Sequence, residues 1–381
     1  MKPPLWSPSP EQVAQANLTE FRNTVNKNYK LALATYLELY QWSIDDRASF
    51  WEAMWDYGQV VHSQTYQAIG QDLDKMPGSK WFPGARLNFA QNLLRFRDDQ
   101  PALVFWGEDG SRQELSYKEL FFQVSQAARG LKESGVETGD RVVGFMPNLP
   151  QTIVAMLAAV SLGAVWSSCS PDFGIQGVLD RFGQIKPKVL FTANGYFYNC
   201  KAHDSLARTA GILDQIPSLE KVVVVPYTEA QPDISALPRA VSWPDFLEGP
   251  APEPEFAQLP FDHPVYIMYS SGTTGLPKCM VHGAGGTLLQ HLKEHLLHCD
   301  LKRQDKIFYF TTCGWMMWNW LVSALATGAT LLLFDGSPFH PGPEILWKMA
   351  EKEKMTIFGT SARYLAALEN TGLKPGREFD L

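Results

Sequence analysis

A ten-residue stretch, YSSGTTGLPK at residues 269–278, concentrates the groups that could do chemistry on a polyanion. Ser270, Ser271, Thr273 and Thr274 set four hydroxyls beside the loop's own backbone N–H groups. Gly272 and Gly275 let the main chain bend and approach a ligand closely, and Lys278 adds a fixed positive charge. Such a set suits a polyphosphate. It does not have the spacing of a Walker A loop, because Leu276 and Pro277 separate Gly275 from Lys278, and Pro277 removes an N–H where a helix would begin. A rival lies further on. HLKEH, residues 291–295, fits the His-x-x-Glu-His pattern, with His291 and His295 one helical turn apart, and so could hold zinc for hydrolysis. Spacing identifies no third ligand, so a solvated or partly buried helix face is the simpler expectation.

These groups need a scaffold, and composition bounds it. The 381 residues are 45% hydrophobic and 19% charged, which is ordinary for a globular protein and long enough for two domains or one with an extension. A net charge of −7 argues against a general attraction to nucleic acid or an anionic membrane, so phosphate binding must be local. The N-terminus lacks the apolar core of a signal peptide and no long apolar run follows, which reads as cytoplasmic. Five scattered cysteines without a CxxC fit reduced, buried thiols rather than a disulfide framework.

Residues 1–97 are rich in tryptophan and helical in pattern, with helices expected over 11–27 and 29–42, and end in a strap at 81–94 that buries one face. From residue 98 the chain alternates short apolar runs with amphipathic ones. Strands are expected near 102–106, 141–146, 164–168, 188–192, 221–225, 265–268, 306–312, 329–334 and 355–358, with helices between them, which implies a parallel sheet covered on both faces. Ser116 with Glu119 forms a capping box for one of those helices, and Gly135 stops it. Residues 226–264, rich in Pro and acid, read as a surface connection.

The complete string YSSGTTGLPK resembles the phosphate loop of the adenylate-forming superfamily, close to [YF][ST]SG[ST]TGxPK. The resemblance extends to GDRVVGFMPNLPQTIVAMLAAVSLGAV, residues 139–165, and GATLLLFDGSP, residues 328–338. It implies an α/β fold, the large N-terminal domain of that superfamily, preceded by a helical extension. WFPGARLN, ending that extension, is similar to the acetyl-CoA synthetase-like branch. CGWMMWNW and GTSARYL depart from the acetate and propionate enzymes, which usually carry Tyr where Gly359 stands, and within the branch are most similar to the acetoacetyl-CoA synthetases. A glycine there is expected to leave volume to a slightly longer acid.

The resemblance implies a ligase that joins acetoacetate to coenzyme A through an acyl-adenylate, using ATP and Mg²⁺, the metal arriving with ATP rather than on protein ligands. It assigns Ser270, Ser271, Gly272, Thr273, Thr274, Gly275 and Lys278 to the phosphates, with Thr273 and Lys278 nearest the chemistry. Trp315, Met316, Met317, Gly359, Thr360 and Ser361 would surround the acyl group, and Lys201, Tyr198 and Arg181 would meet coenzyme A. Acetate, propionate or 3-hydroxybutyrate are alternative acids, and a non-catalytic nucleotide- or CoA-binding fragment is another reading. The family's Gly-Glu-Pro segment, adenine and ribose contacts, hinge and C-terminal lysine do not occur before Leu381. The expectation is therefore an incomplete adenylate-forming domain that does not turn over alone.

Overall fold

The computed structural model describes residue 4 and residues 6–270 and 275–381. Helices come first: α1 (Pro10–Gln15), α2 (Asn17–Tyr29), α3 (Tyr36–Asp45) and α4 (Arg47–Tyr57). The helix expected over 11–27 is split, because Ala16 takes an extended conformation between α1 and α2. The one expected over 29–42 starts late. Lys30 turns left-handed and closes α2, and Thr35 then opens α3 by a reciprocal cap with Glu38. Phe21, Val25, Leu39, Phe50 and Met54 make a small core of their own, joined by Leu297 from the main body.

Residues 81–94 bind this extension down. Phe82, Leu87, Phe89 and Leu93 are buried, and α5 (Phe89–Leu93) is capped by Asn88. The same Asn88 donates from Nδ2 to the carbonyls of Val160 (3.1 Å), Ser161 (3.0 Å) and Ala257 (3.0 Å). A buried amide satisfied this fully holds three separate segments together.

The main body alternates as its pattern requires. Its first half runs β1 (Pro101–Gly107), β2 (Arg112–Ser116), α6 (Tyr117–Glu133), β3 (Arg141–Phe145), α7 (Pro150–Ser161), β4 (Val165–Cys169), α8 (Ile175–Ile185), β5 (Val189–Ala193), α9 (Leu206–Leu213) and β6 (Lys221–Val225). Its second half runs β7 (Ala240–Ser242), α10 (Trp243–Leu247), β8 (Pro264–Tyr269), β9 (Cys279–Gly283), α11 (Ala284–Lys293), β10 (Lys306–Tyr309), α12 (Met316–Ser323), β11 (Thr330–Asp335), α13 (Ile345–Glu353), β12 (Ile357–Gly359) and α14 (Ala362–Glu369).

Seven strands form one sheet in the order β7-β6-β5-β3-β4-β8-β9, parallel except for the β8–β9 pair. Five form a second, β12-β10-β11-β1-β2, parallel except for β1–β2. Every residue of β4 and β5 is buried, as parallel strands covered on both faces must be. The antiparallel edge β2 is mostly polar, and the edge β9 exposes Cys279, Met280 and Val281, so neither has the buried apolar run of the central strands.

One expectation is overturned. Residues 226–264 are not merely a surface connection: they carry β7 and α10. Trp243 and Phe246, 7% and 5% exposed, pack edge-on against Phe191 of β5. Two aromatics supply enough apolar surface to dock an otherwise polar segment.

Candidate functional site at the strand ends

The phosphate-type loop leaves the C-terminal end of β8 and returns as β9. Its base is closed by main-chain bonds: Tyr269 pairs with Cys279, Ser270 N donates to the Lys278 carbonyl at 3.0 Å, and Lys278 N donates to Ser270 Oγ at 3.2 Å. Ser271, Gly272, Thr273 and Thr274 lie outside the described residues. Gly275 has a φ of 131°, which a side chain would resist. Gln184 of α8 donates to the Pro277 carbonyl at 2.8 Å, tying the return strand to its neighbour. Lys278 is exposed.

The Trp315 segment follows β10 in the adjoining sheet. It is clamped to the first sheet from beneath: Ser168 Oγ donates to the Cys313 carbonyl at 2.6 Å, and Cys313 Sγ donates to the Met146 carbonyl at 2.8 Å. Burial pushes the Cys313 thiol up to about 12, so it serves as a packed donor rather than a nucleophile. Trp318 is fully buried, with Nε1 donating to Asn148 Oδ1 at 2.9 Å. With the base of the segment fixed, its leading side chains face outward: Trp315 and Met316 are 66% and 46% exposed, and Met317 is half-buried.

Gly359 ends β12, directly opposite Tyr309 of β10, and its carbonyl accepts from Phe310 N at 2.9 Å. Thr360 Oγ1 is buried without a partner among the described residues, while Ser361 Oγ accepts from Tyr364 N at 3.2 Å and caps α14. The expectation that Gly359 leaves its volume to a ligand needs correction. A Cβ added there would fall 2.2 Å from Tyr309 Cδ2, so the neighbouring strand's ring already fills the space beside the glycine.

The three residues assigned to coenzyme A are not brought into one cluster. Tyr198 and Lys201 flank the tip of a hairpin, Gly195–Tyr198 with Lys201–Asp204, and both are exposed. Asn199 and Cys200 turn that tip with φ of 53° and 64°. The Glu108 carboxylate braces it, accepting from Asn199 N (2.9 Å), Cys200 N (2.6 Å) and Ser337 N (2.6 Å). Arg181 instead lies near the loop base: it donates to the Gly177 carbonyl at 2.7 Å and its guanidinium sits 4.6 Å over Phe173 and 5.7 Å over Tyr269.

The HLKEH histidines are core residues. His291 and His295 are 8% and 0% exposed. His295 Nε2 donates to the Trp320 carbonyl at 2.9 Å, and His291 Nδ1 shares a 2.8 Å hydrogen bond with Ser323 Oγ. Among the described residues, no group of three or more His, Cys, Asp or Glu is placed to hold a metal ion. The cysteine expectation is met only in part, since Cys169 and Cys313 are buried but Cys200 and Cys279 are exposed. An open cleft of about 940 Å³ runs between the strap and α11, lined by Trp81, Arg86, His282 and Glu294, and Met316 reaches its edge.

Sequence reasoning missed Asn148, Ser168, Glu108 and Tyr309, whose partners lie far along the chain. Only the fold brings them to the strand ends, where open α/β sheets form their crevices.

A family model described as AMP-binding enzyme matches residues 89–380, and one described as acetyl-coenzyme A synthetase N-terminus matches residues 36–93. The chain is 46% identical over 384 residues to an acetoacetyl-CoA synthetase of Xenopus tropicalis, covering 97% of this chain and 56% of the relative. It is 46% identical over 380 residues to an acetoacetyl-coenzyme A synthetase of Rhizobium meliloti, covering 99% and 58%. A malonamoyl-CoA synthetase of Penicillium aethiopicum is 41% identical, with 96% of this chain and 54% of that protein covered. The solved structure of an acetoacetyl-CoA synthetase from Streptomyces lividans superposes with a TM-score of 0.94 at 42% identity, over 100% of this chain and 58% of that one. The chain therefore spans a little over half the length of these relatives.

Proposed function

This chain belongs to the AMP-binding enzyme family, and on that premise we propose that the protein joins acetoacetate to coenzyme A at the expense of ATP. The observation that carries the choice of acid is the 46% identity, across nearly the whole chain, to proteins named as acetoacetyl-CoA synthetases. An acid oxygen attacks the α-phosphorus and the bond to pyrophosphate breaks. The coenzyme A sulfur then attacks the acyl carbon, the bond to AMP breaks, and the thiol proton is released.

Ser270, Ser271, Gly272, Thr273, Thr274, Gly275 and Lys278 are proposed to hold the phosphates. The positive φ of Gly275 and the exposed Lys278 support this, since a glycine turn and an accessible cation stand together at one end of the loop. Mg²⁺ bound with ATP would neutralise phosphate charge. Trp315, Met316, Met317, Gly359, Thr360 and Ser361 are proposed to surround the acyl group, where the unpartnered Thr360 hydroxyl could donate to an acyl oxygen. Lys201, Tyr198 and Arg181 are proposed for coenzyme A, from two sides of the strand ends rather than one cluster. A cytoplasmic location belongs to the same proposal and is supported by five free thiols. Among the described residues no helix is long and apolar enough to cross a membrane.

The malonamoyl-CoA synthetase relative favours a second acid. Malonamate carries, like acetoacetate, a carbonyl β to its carboxylate. The test measures acid-dependent ATP–pyrophosphate exchange and CoA-ester formation with acetoacetate, malonamate, acetate and 3-hydroxybutyrate in the full-length protein. A clear preference for acetate would defeat the proposal, and for malonamate would replace the acid.

A further inference from the structure

Between the two segments assigned to the acyl group stands a residue assigned to neither. Tyr309 and Gly359 are paired across parallel strands β10 and β12. A Cβ on Gly359 would meet Tyr309 Cδ2 at 2.2 Å, Cε2 at 2.9 Å and Cγ at 3.0 Å. Real Cβ atoms do not approach that closely, and the atoms met include the root of the ring rather than a flexible end. Relief would require the whole tyrosine to rotate.

Rotation is opposed on the other side. The ring of Tyr309 stands edge-on to Trp320, with centroids 6.1 Å apart at 71°. Trp320 is fixed in turn, since its Nε1 donates to Glu294 Oε2 at 2.7 Å and its ring lies 4.4 Å from that of His295. Trp320 belongs to α12, whose first residues are Met316 and Met317. One ring thus touches both β12, which delivers Gly359 and Thr360, and α12, which delivers the two methionines.

We propose that Tyr309 determines acid specificity: its ring, seated in the space beside Gly359 and against Trp320, sets the distance between the two walls of the acyl pocket. The proposal rests on the ligase reading of the site. It also explains the departure at position 359: bulk that could stand on β12 stands instead on β10, so glycine at 359 is the requirement for tyrosine at 309. Gly359 and Tyr309 should therefore behave as one unit.

The experiment is a double-mutant cycle of Gly359→Ala and Tyr309→Ala in the full-length protein, read by unfolding midpoint and by kcat/KM for acetoacetate, acetate and a six-carbon 3-oxo acid. Gly359→Ala alone is expected to lower the midpoint, and Tyr309→Ala to relieve that loss, so that the double variant is more stable than the sum of the singles requires. Tyr309→Ala is expected to move the kcat/KM ratio at least about tenfold toward the longer acid, and Tyr309→Phe to keep the parent ratio, because ring volume and not the hydroxyl is at work. If Tyr309→Ala does not fold, Tyr309→Leu, which loses the flat ring, takes its place in both measurements. Additive midpoints overturn the pairing, and an unchanged acid ratio in a folded Tyr309→Ala or Tyr309→Leu variant overturns the specificity role. Unmodified protein that ligates none of the acids overturns the ligase reading itself and this proposal with it, an outcome the unmodified control reveals separately.

Discussion

Lowering the pH from 7 to 5 sets two kinds of buried group against each other. Burial pushes His291 down to about 4 and His295 to about 3, so both stay neutral in the folded protein over this interval. The physical cause is clearest at His295. Its Nε2–H already donates to the Trp320 carbonyl, and its Nδ1 is buried with no partner among the described residues, so a second proton there would be an uncompensated charge. The folded values lie below the ordinary one near 6.5, so the unfolded chain takes up protons first. This contribution to stability is whole above about pH 6.5 and is lost as pH falls. Between pH 7 and 5 each histidine costs about 2 kcal/mol, about 4 kcal/mol for the pair. Asp335 works in the opposite direction. Burial pushes its carboxyl up to about 7, so the folded state takes up that proton first and gains about 2 kcal/mol over the same interval. From these three groups the expected loss is about 2 kcal/mol in the unmodified chain and about 4 kcal/mol in Asp335→Asn, and the difference of about 2 kcal/mol between the two proteins is what isolates Asp335. Urea unfolding at pH 7, 6 and 5 measures both, and imidazole resonances followed by NMR assign the cause. Stability that does not fall in Asp335→Asn, or histidines that titrate near 6.5, would refute the reasoning.

Three further outcomes are expected. Lys278→Ala should lower acid-dependent pyrophosphate exchange in the full-length protein by about a hundredfold, yet shift unfolding free energy by no more than about 0.5 kcal/mol because the side chain is exposed. Asn88→Ala should cost about 2–3 kcal/mol in urea unfolding, since the carbonyls of Val160, Ser161 and Ala257 lose their common donor. Glu108→Ala should release the hairpin tip, seen as faster hydrogen exchange at the amides of Asn199, Cys200 and Ser337 and a rise in KM for coenzyme A; unchanged exchange would show that the carboxylate does not brace the tip.

How much of this was legible depended on where the information resides. Continuous apolar runs such as those of β5 and β6 declare buried parallel strands, and the Ser116–Glu119 box declares the start of α6, because both signals are local. The edge strands β2 and β9 have no such signal: β2 is polar apart from one buried leucine, and the short Cys279-Met280-Val281 run of β9 is exposed rather than buried. The split of α1 from α2 depended on one extended residue, Ala16, whose type does not demand it. The HLKEH pair shows the converse failure: a spacing that suits zinc equally suits two core imidazoles. What decides is Ser323 and Trp320, about thirty residues away and placed by α12.

The candidate site carries the same lesson further. The loop was singled out from ten adjacent residues; its assignment to phosphate stays a proposal, while its base is a closed hairpin stem at the end of β8. The surroundings of Gly359, proposed as an acyl wall, could not be read that way, because pocket shape is a property of neighbours in space. Reading Gly359 alone, the inference from a missing side chain to an empty volume is sound only if nothing else enters that volume. Across the β10–β12 register Tyr309 does enter it, and by filling the gap it links the strand that ends at Gly359 to the helix that begins at Met316. A substitution of tyrosine by glycine on one strand is then no measure of pocket size until the partner strand is read with it. Acid selectivity in this family should accordingly be compared by pairs of positions across the sheet rather than by single ones.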